Sequence, residues 1–179
     1  MNAKTKLIIP FVCGFILFPG FIVVHECGHW LAGLSFGLKT KPHYAGTSYH
    51  GTPQQITQNV HWLLAAAGPL VGLALMIVGV FWLWLSRRHN LTSVTAMEWL
   101  ATSLAFNAGR WLRGFTGLPS NPQPHDEAFV SKALGLPPWL LPYCLALAAL
   151  GTIIFIIRQH PARERLFPFS AMMLGGIIG

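Results

Sequence analysis

The sequence predicts an all-α, multi-pass membrane protein. Of its 179 residues, 53% are hydrophobic and only 9% are charged, whereas soluble domains carry roughly 25% charged residues. So few charges cannot give a domain of this size a solvated surface. The apolar residues also fall into long runs, and a helix of about 20 apolar residues is enough to cross a bilayer. Composition and run length therefore agree on the fold class.

The basic residues point to a lipid surface as the charged partner. The chain has 12 Lys and Arg against 5 acids, a formal net charge of +7. Most of the basic residues lie at the ends of apolar runs, where they anchor helices beside anionic lipid. No basic run carries interleaved aromatics, so the sequence gives no indication of nucleic-acid binding.

Four apolar runs predict about four transmembrane helices. They extend from Leu7 to about Gly37, from about His61 to Leu85, from about Val94 to Phe115 and from Trp139 to Ile157. A final apolar segment, 167–179, is too short to span and is expected to be interfacial or re-entrant. We expect one membrane-embedded domain over 1–179, with its core at about 7–138 and the fourth helix and tail at 139–179.

A polar segment, 38–60, follows the first run. Its closely spaced Thr, Tyr and Gly residues predict a hairpin or an irregular loop. His43 and His50 lie in it. Both can be ordinary exposed histidines, and His43 is also a candidate for supporting a substrate or an oxyanion. Asn107 also has two possible roles. It lies deep in the third run and needs a polar partner, either on another helix or in an active site.

The most informative motif is His25-Glu26-Cys27-Gly28-His29, near the end of the first run. Positions i and i+4 share one face of a helix, so His25 and His29 can direct two imidazoles at one ion. Glu26 flanks that face and can act on a water molecule. This H-E-x-x-H pattern is the one that zinc metalloproteases use, with two His ligands and Glu as general base. The alternative is a polar cluster that holds helices together, which is costly in lipid.

A catalytic zinc site usually has a third protein ligand. Only five acids exist, and Asp126 is the one aspartate. If successive runs cross the membrane in alternating directions, the segments after runs one and three lie on the same side, as do His29 and Asp126. We therefore expect Asp126 as the ligand, with Glu127 as the alternative and His125 as a third choice. Alternatively, His125, Asp126 and Glu127 only favour the N-terminus of a helix, and that interpretation stays open.

Taken together, these residues resemble the site-2-protease group of intramembrane zinc metalloproteases, the peptidase M50 type, and in particular its small core-only members. The resemblance is carried by the histidine motif, by Ala-Ala-Gly-Pro-Leu at 66–70, and by the acidic segment at 126–137. It covers about 20–138. The family usually has Asp-Gly at the third ligand, whereas Glu127 follows Asp126 here.

The resemblance implies a zinc-dependent endopeptidase that cleaves a membrane protein or peptide substrate. Zn²⁺ would be held by His25, His29 and Asp126, with Glu26 as the catalytic base. It also implies a prokaryotic cytoplasmic membrane, with the zinc side facing the cytoplasm. Two other functions stay open: a non-catalytic, metal-binding or regulatory member of the same fold, and a haem-binding membrane protein that pairs one of these histidines with another such as His61.

Overall fold

A computed structural model describes residues 5–44, 46–52, 54–87, 94–115, 126–161 and 170. This part of the chain is mostly helical and contains one small sheet. In chain order the elements are α1 (Thr5–Ser35), β1 (Lys39–His43), β2 (Gly46–His50), α2 (Gln58–Arg87), α3 (Ala96–Phe106), a 3-10 helix (Asn107–Phe115), α4 (Asp126–Ala133) and α5 (Leu140–Gln159). The predicted C-terminal apolar segment lies outside the described residues, apart from Ser170.

Three of these helices are long and apolar enough to cross a membrane. Within the described residues, the candidate spans are Ile8–Ser35, Gln58–Arg87 and Leu140–Gln159. They correspond to the first, second and fourth apolar runs of the sequence. Many of their large apolar side chains are exposed, Ile16, Leu70 and Ile77 among them, as expected for helices that face lipid.

The third apolar run does not form the long α-helix that the sequence predicts. The α-helical part, α3, is 11 residues long and ends at Phe106. The chain continues as a 3-10 helix of 9 residues from Asn107. That second half contains Gly109, Arg110 and Arg113, and glycine and charged side chains weaken an apolar helix. Of the about four transmembrane helices that the sequence predicts, the described residues therefore contain three candidate spans, and this run is not one of them.

The polar segment after α1 forms the predicted hairpin. Strands β1 and β2 pair antiparallel, with Thr40 opposite Tyr49 and Pro42 opposite Thr47. Side chains alternate between the two faces of a strand, so these four residues share one face. Gly37 precedes the hairpin with a φ of 69°, a left-handed conformation that glycine adopts without steric cost.

The chain divides into two compact units, and helices α1, α2 and α5 each contribute to both. The first unit comprises 1–21, 74–109 and 149–179. Its core contains Leu83, Trp99, Phe106 and Ile156. It also buries an ion pair between Arg87 Nε and Glu98 Oε1, 3.2 Å apart. The carboxylate of Glu98 completes a capping box with Thr95 at the start of α3.

The second unit comprises 22–73 and 110–148. Helices α1 and α2 approach closely in it at Gly28, where an added Cβ would lie 2.9 Å from the carbonyl oxygen of Ala67 and 2.9 Å from Val71 Cγ2. Such close approach is what small residues allow between helices in lipid. Helix α4 is joined to the start of α5, where the backbone N–H of Leu141 donates to Ser131 Oγ at 3.1 Å. The second unit contains the histidine motif and the only aspartate.

Candidate metal centre

Three potential ligand atoms converge in the second unit. Nε2 of His25 and Nε2 of His29 are 3.1 Å apart. Oδ2 of Asp126 lies 3.3 Å from the first and 3.2 Å from the second. The three atoms form an almost equilateral triangle, and both imidazoles are buried. His25, His29 and Asp126 can therefore hold a metal ion.

A hydrogen bond fixes the orientation of the His29 ring. Its Nδ1 lies 2.7 Å from the carbonyl oxygen of Leu64 on α2. A carbonyl oxygen only accepts, so Nδ1 must carry the proton. In neutral His29 the lone pair is then on Nε2 and points into the triangle. Metal-binding histidines are commonly oriented in this way by a hydrogen bond at the other ring nitrogen.

The triangle has dimensions that suit a small metal ion. Two ligand atoms at about 2.0–2.1 Å from a tetrahedral ion are about 3.3–3.4 Å apart, close to the observed 3.1–3.3 Å. Without a cation, the lone pairs of His29 Nε2 and Asp126 Oδ2 face each other beside His25 Nε2. A shared proton or a metal ion relieves that repulsion. Two imidazole nitrogens and one carboxylate oxygen form a donor set that suits divalent transition-metal ions.

Gly68 leaves open the space in front of the two imidazoles. A Cβ added at this position would contact Nε2 of His29 and would lie 2.6 Å from Nε2 of His25. Any other residue would therefore place carbon where both ligand nitrogens point. Gly68 belongs to the Ala-Ala-Gly-Pro-Leu stretch at 66–70, and its missing side chain leaves free the place that a bound ion would occupy.

Asp126 reaches the histidines from the first residue of α4. Burial would raise the pKa of its carboxyl group, but hydrogen bonds to His25 and His29 and their positive charge outweigh that effect and hold the pKa well below its usual range. The group is therefore an anion at neutral pH. An anion at the N-terminus of a helix is also favoured by the exposed N–H groups there.

Glu26 is buried beside the triangle and is held by the hairpin. The hydroxyl of Thr47 on β2 lies 3.1 Å from Oε2 of Glu26 and 3.2 Å from its backbone carbonyl oxygen. Because Glu26 directly follows His25, its carboxylate belongs to the same turn of α1 as a ligand. An acid with a fixed orientation next to a metal site has the placement of a general base.

The charges of both carboxylates of the site affect the pKa of Tyr49. Burial and the negative charges of Asp126 and Glu26 raise the pKa of Tyr49 to about 12. The phenol therefore remains protonated at neutral pH and can donate a hydrogen bond. Its response to both acids places Asp126 and Glu26 within electrostatic range of one side chain.

The other predicted site residues are not part of the triangle. Glu127 is buried on α4, and its Oε1 has no hydrogen-bond partner in the described part of the chain. Of the two adjacent acids, the structure brings Asp126 to the histidines. His43 is exposed, with Nε2 2.9 Å from Ser48 Oγ. Asn107 is the C-cap of α3 in the first unit. His125 lies outside the described residues.

Sequence reasoning missed three contributors: the carbonyl group of Leu64, the hydroxyl of Thr47 and the steric role of Gly68. No local pattern marks a backbone carbonyl or a hairpin threonine, since both act through contacts that exist only after folding. The Ala-Ala-Gly-Pro-Leu stretch at 66–70 contains Gly68, but nothing in that stretch links it to the histidines.

Comparison of the chain with family models, with curated proteins and with solved structures gives no match.

Proposed function

We propose that this protein is a zinc-dependent intramembrane endopeptidase. The observation that carries the proposal is the triangle of His25, His29 and Asp126, with ligand atoms 3.1–3.3 Å apart, next to a buried Glu26. Zinc peptidases require these parts: two histidines from one helix, a third ligand from elsewhere, and an acid adjacent to the metal.

Zinc bound by these three side chains would supply Lewis acidity, which lowers the pKa of water and polarises a peptide carbonyl. Glu26 would act as the general base and then as the general acid. Its carboxylate takes a proton from the attacking water and then donates that proton to the amine nitrogen of the leaving group. The ring of His29 is oriented by the hydrogen bond from its Nδ1 to the carbonyl oxygen of Leu64.

A membrane substrate follows from where the site lies in the sequence. Two of the three ligands are on α1, a candidate membrane span. A peptide bond reaches such a site from a neighbouring transmembrane segment that has locally unwound, because the carbonyl groups of an intact helix are hydrogen-bonded within it. The substrate class is therefore the membrane-embedded or membrane-adjacent part of another protein.

Neither alternative function has an observation in its favour. The ring of His61, the suggested partner, lies against Phe129 with centroids 4.5 Å apart. A non-catalytic metal-binding protein would need the triangle but not Glu26.

The proposal is tested with wild type and Glu26→Gln, purified in mild detergent. Zinc content and the hydrolysis of dye-labelled casein, an unfolded chain with accessible peptide bonds, are measured for both. We expect both proteins to hold zinc and Glu26→Gln to lose at least about 100-fold in rate, the size of a general-base effect. Equal cleavage by both would refute the peptidase. Zinc without cleavage in either would support the non-catalytic alternative, and iron with a Soret band the haem protein.

A further inference from the structure

The hairpin contacts Glu26 through the hydroxyl group of Thr47. Oγ1 of Thr47 lies 3.1 Å from Oε2 of Glu26. A carboxylate only accepts, so the threonine hydroxyl is the donor. Bonds of this kind, from a neutral donor to an ionised acceptor, are stronger than those between neutral groups.

The strand register explains why Thr47 faces the helix. Thr47 and Tyr49 are two residues apart on β2, so they project from the same face. Thr40 lies opposite Tyr49 on β1 and shares that face. The hairpin thus presents two threonines and one tyrosine towards α1.

This face of the hairpin packs against Gly33 of α1. A Cβ added at Gly33 would contact Thr40 Cγ2 and would lie 3.1 Å from the Tyr49 ring. Gly33 is seven residues after Glu26, which is two helical turns and the same side of α1. The missing side chain at Gly33 lets the hairpin lie close enough to the helix for Thr47 to reach Glu26.

We propose that Thr47 is a positioning residue for Glu26, held at that carboxylate by the pairing of β1 with β2. This inference rests on the proposed function, because it assigns Glu26 the role of the base. The Thr47 hydroxyl occupies Oε2 and leaves Oε1 to accept the proton from water and return it to the leaving amine. Thr47 keeps its own proton throughout.

A purely structural role for Thr47 makes different predictions. Its hydroxyl is also 3.2 Å from the backbone carbonyl oxygen of Glu26, and one proton makes one strong bond at a time. If the bond to the carbonyl were the important one, the hydroxyl would only tie the hairpin to α1. Its loss would then disturb folding and metal binding together rather than the chemical step.

The chain offers a matched control. Thr40 is on the same face of the hairpin, and its buried hydroxyl has no hydrogen-bond partner in the described part of the chain. Thr40→Val and Thr47→Val make the same chemical change in the same small sheet. Only the second removes a donor from Glu26, and Thr47→Ser restores a hydroxyl.

The experiment compares these three variants with wild type, using zinc content and the hydrolysis of dye-labelled casein. We expect Thr47→Val to keep its zinc and KM while kcat falls about 10- to 100-fold, the range for a misplaced catalytic group. Thr47→Ser should recover kcat to within about threefold, and Thr40→Val should match wild type. Unchanged kcat in Thr47→Val, or loss of zinc in parallel with kcat, would overturn the inference.

A second measurement does not depend on activity. Thermal unfolding midpoints are taken for Thr47→Val in the wild-type background and in Glu26→Leu, which has no side-chain acceptor. The bond to the carboxylate predicts that Thr47→Val lowers the midpoint in wild type and by less than half as much in Glu26→Leu. Equal shifts would place the bond on the backbone carbonyl and overturn the inference. If wild type fails to cleave casein, the proposed function fails, while this comparison still decides the contact.

Discussion

Oδ2 of Asp126 lies 3.2 Å from Nε2 of His29, although the two residues belong to different helices far apart in the chain. Folding of the second unit thus brings the only aspartate to the two histidines of α1. In a protein that has 5 acids among 179 residues, the convergence of a carboxylate on two imidazoles has a cost in desolvation that a bound cation would offset.

Gly68→Ala should abolish metal binding without unfolding the protein. The new methyl group would contact Nε2 of His29 and lie 2.6 Å from Nε2 of His25, in the space for the ion. Alanine is otherwise favoured over glycine in a helix by about 1 kcal/mol, so α2 should not be weakened. Zinc content and circular dichroism check both expectations.

The matched control is Gly151→Ala in α5, because a Cβ at that position meets nothing within 4 Å. It should keep its zinc. Wild-type zinc content in Gly68→Ala would mean that the ion does not lie in front of the two imidazoles.

Because of Tyr49, the free energy of unfolding should fall as pH rises through the alkaline range. Its pKa is about 12 in the folded chain and about 10 when unfolded. Between these values the unfolded chain has lost the proton and the folded chain still holds it, so the free energy of unfolding falls as pH rises. In metal-free protein, Tyr49→Phe should show a shallower decline in unfolding midpoint between pH ~10 and ~12. A decline as steep as that of wild type would exclude this cause.

The histidines and the aspartate could be predicted from the sequence for different reasons. His25 and His29 follow from helical periodicity alone. Asp126 followed from the scarcity of acids and from the alternating direction of successive membrane runs. The structure brings Asp126 to the histidines, and Glu127, its neighbour, points elsewhere because adjacent residues on a helix differ by about 100° in direction.

The other features of the site could not be predicted from the sequence because they depend on contacts between helices and strands. Thr47 is one of several threonines in a polar segment, and only the pairing of β1 with β2 shows which of them faces Glu26. The third apolar run was misjudged for a different reason. Its average hydrophobicity suggested one long helix, while Asn107, Gly109 and Arg110 end the α-helical part locally.

Glu98 should be a sensitive position for the stability of the first unit. Its carboxylate contacts buried Arg87 at 3.2 Å and accepts the backbone N–H of Thr95 at 2.7 Å. Glu98→Ala breaks a buried ion pair with Arg87, and the loss of such a pair typically costs about 3 kcal/mol or more. Thr95→Ala removes only the helix cap, at about 1 kcal/mol. Denaturant unfolding of both variants measures the difference, and equal losses would contradict the importance of the ion pair.

The most direct test of the metal centre is the zinc content of three purified proteins: wild type, Asp126→Ala and Glu127→Gln. The geometry predicts about one zinc per chain in wild type, as for a single catalytic site, the same in Glu127→Gln, and loss of the ion in Asp126→Ala. A wild-type protein without zinc, or an Asp126→Ala variant that binds it as well as wild type does, would contradict the site of His25, His29 and Asp126.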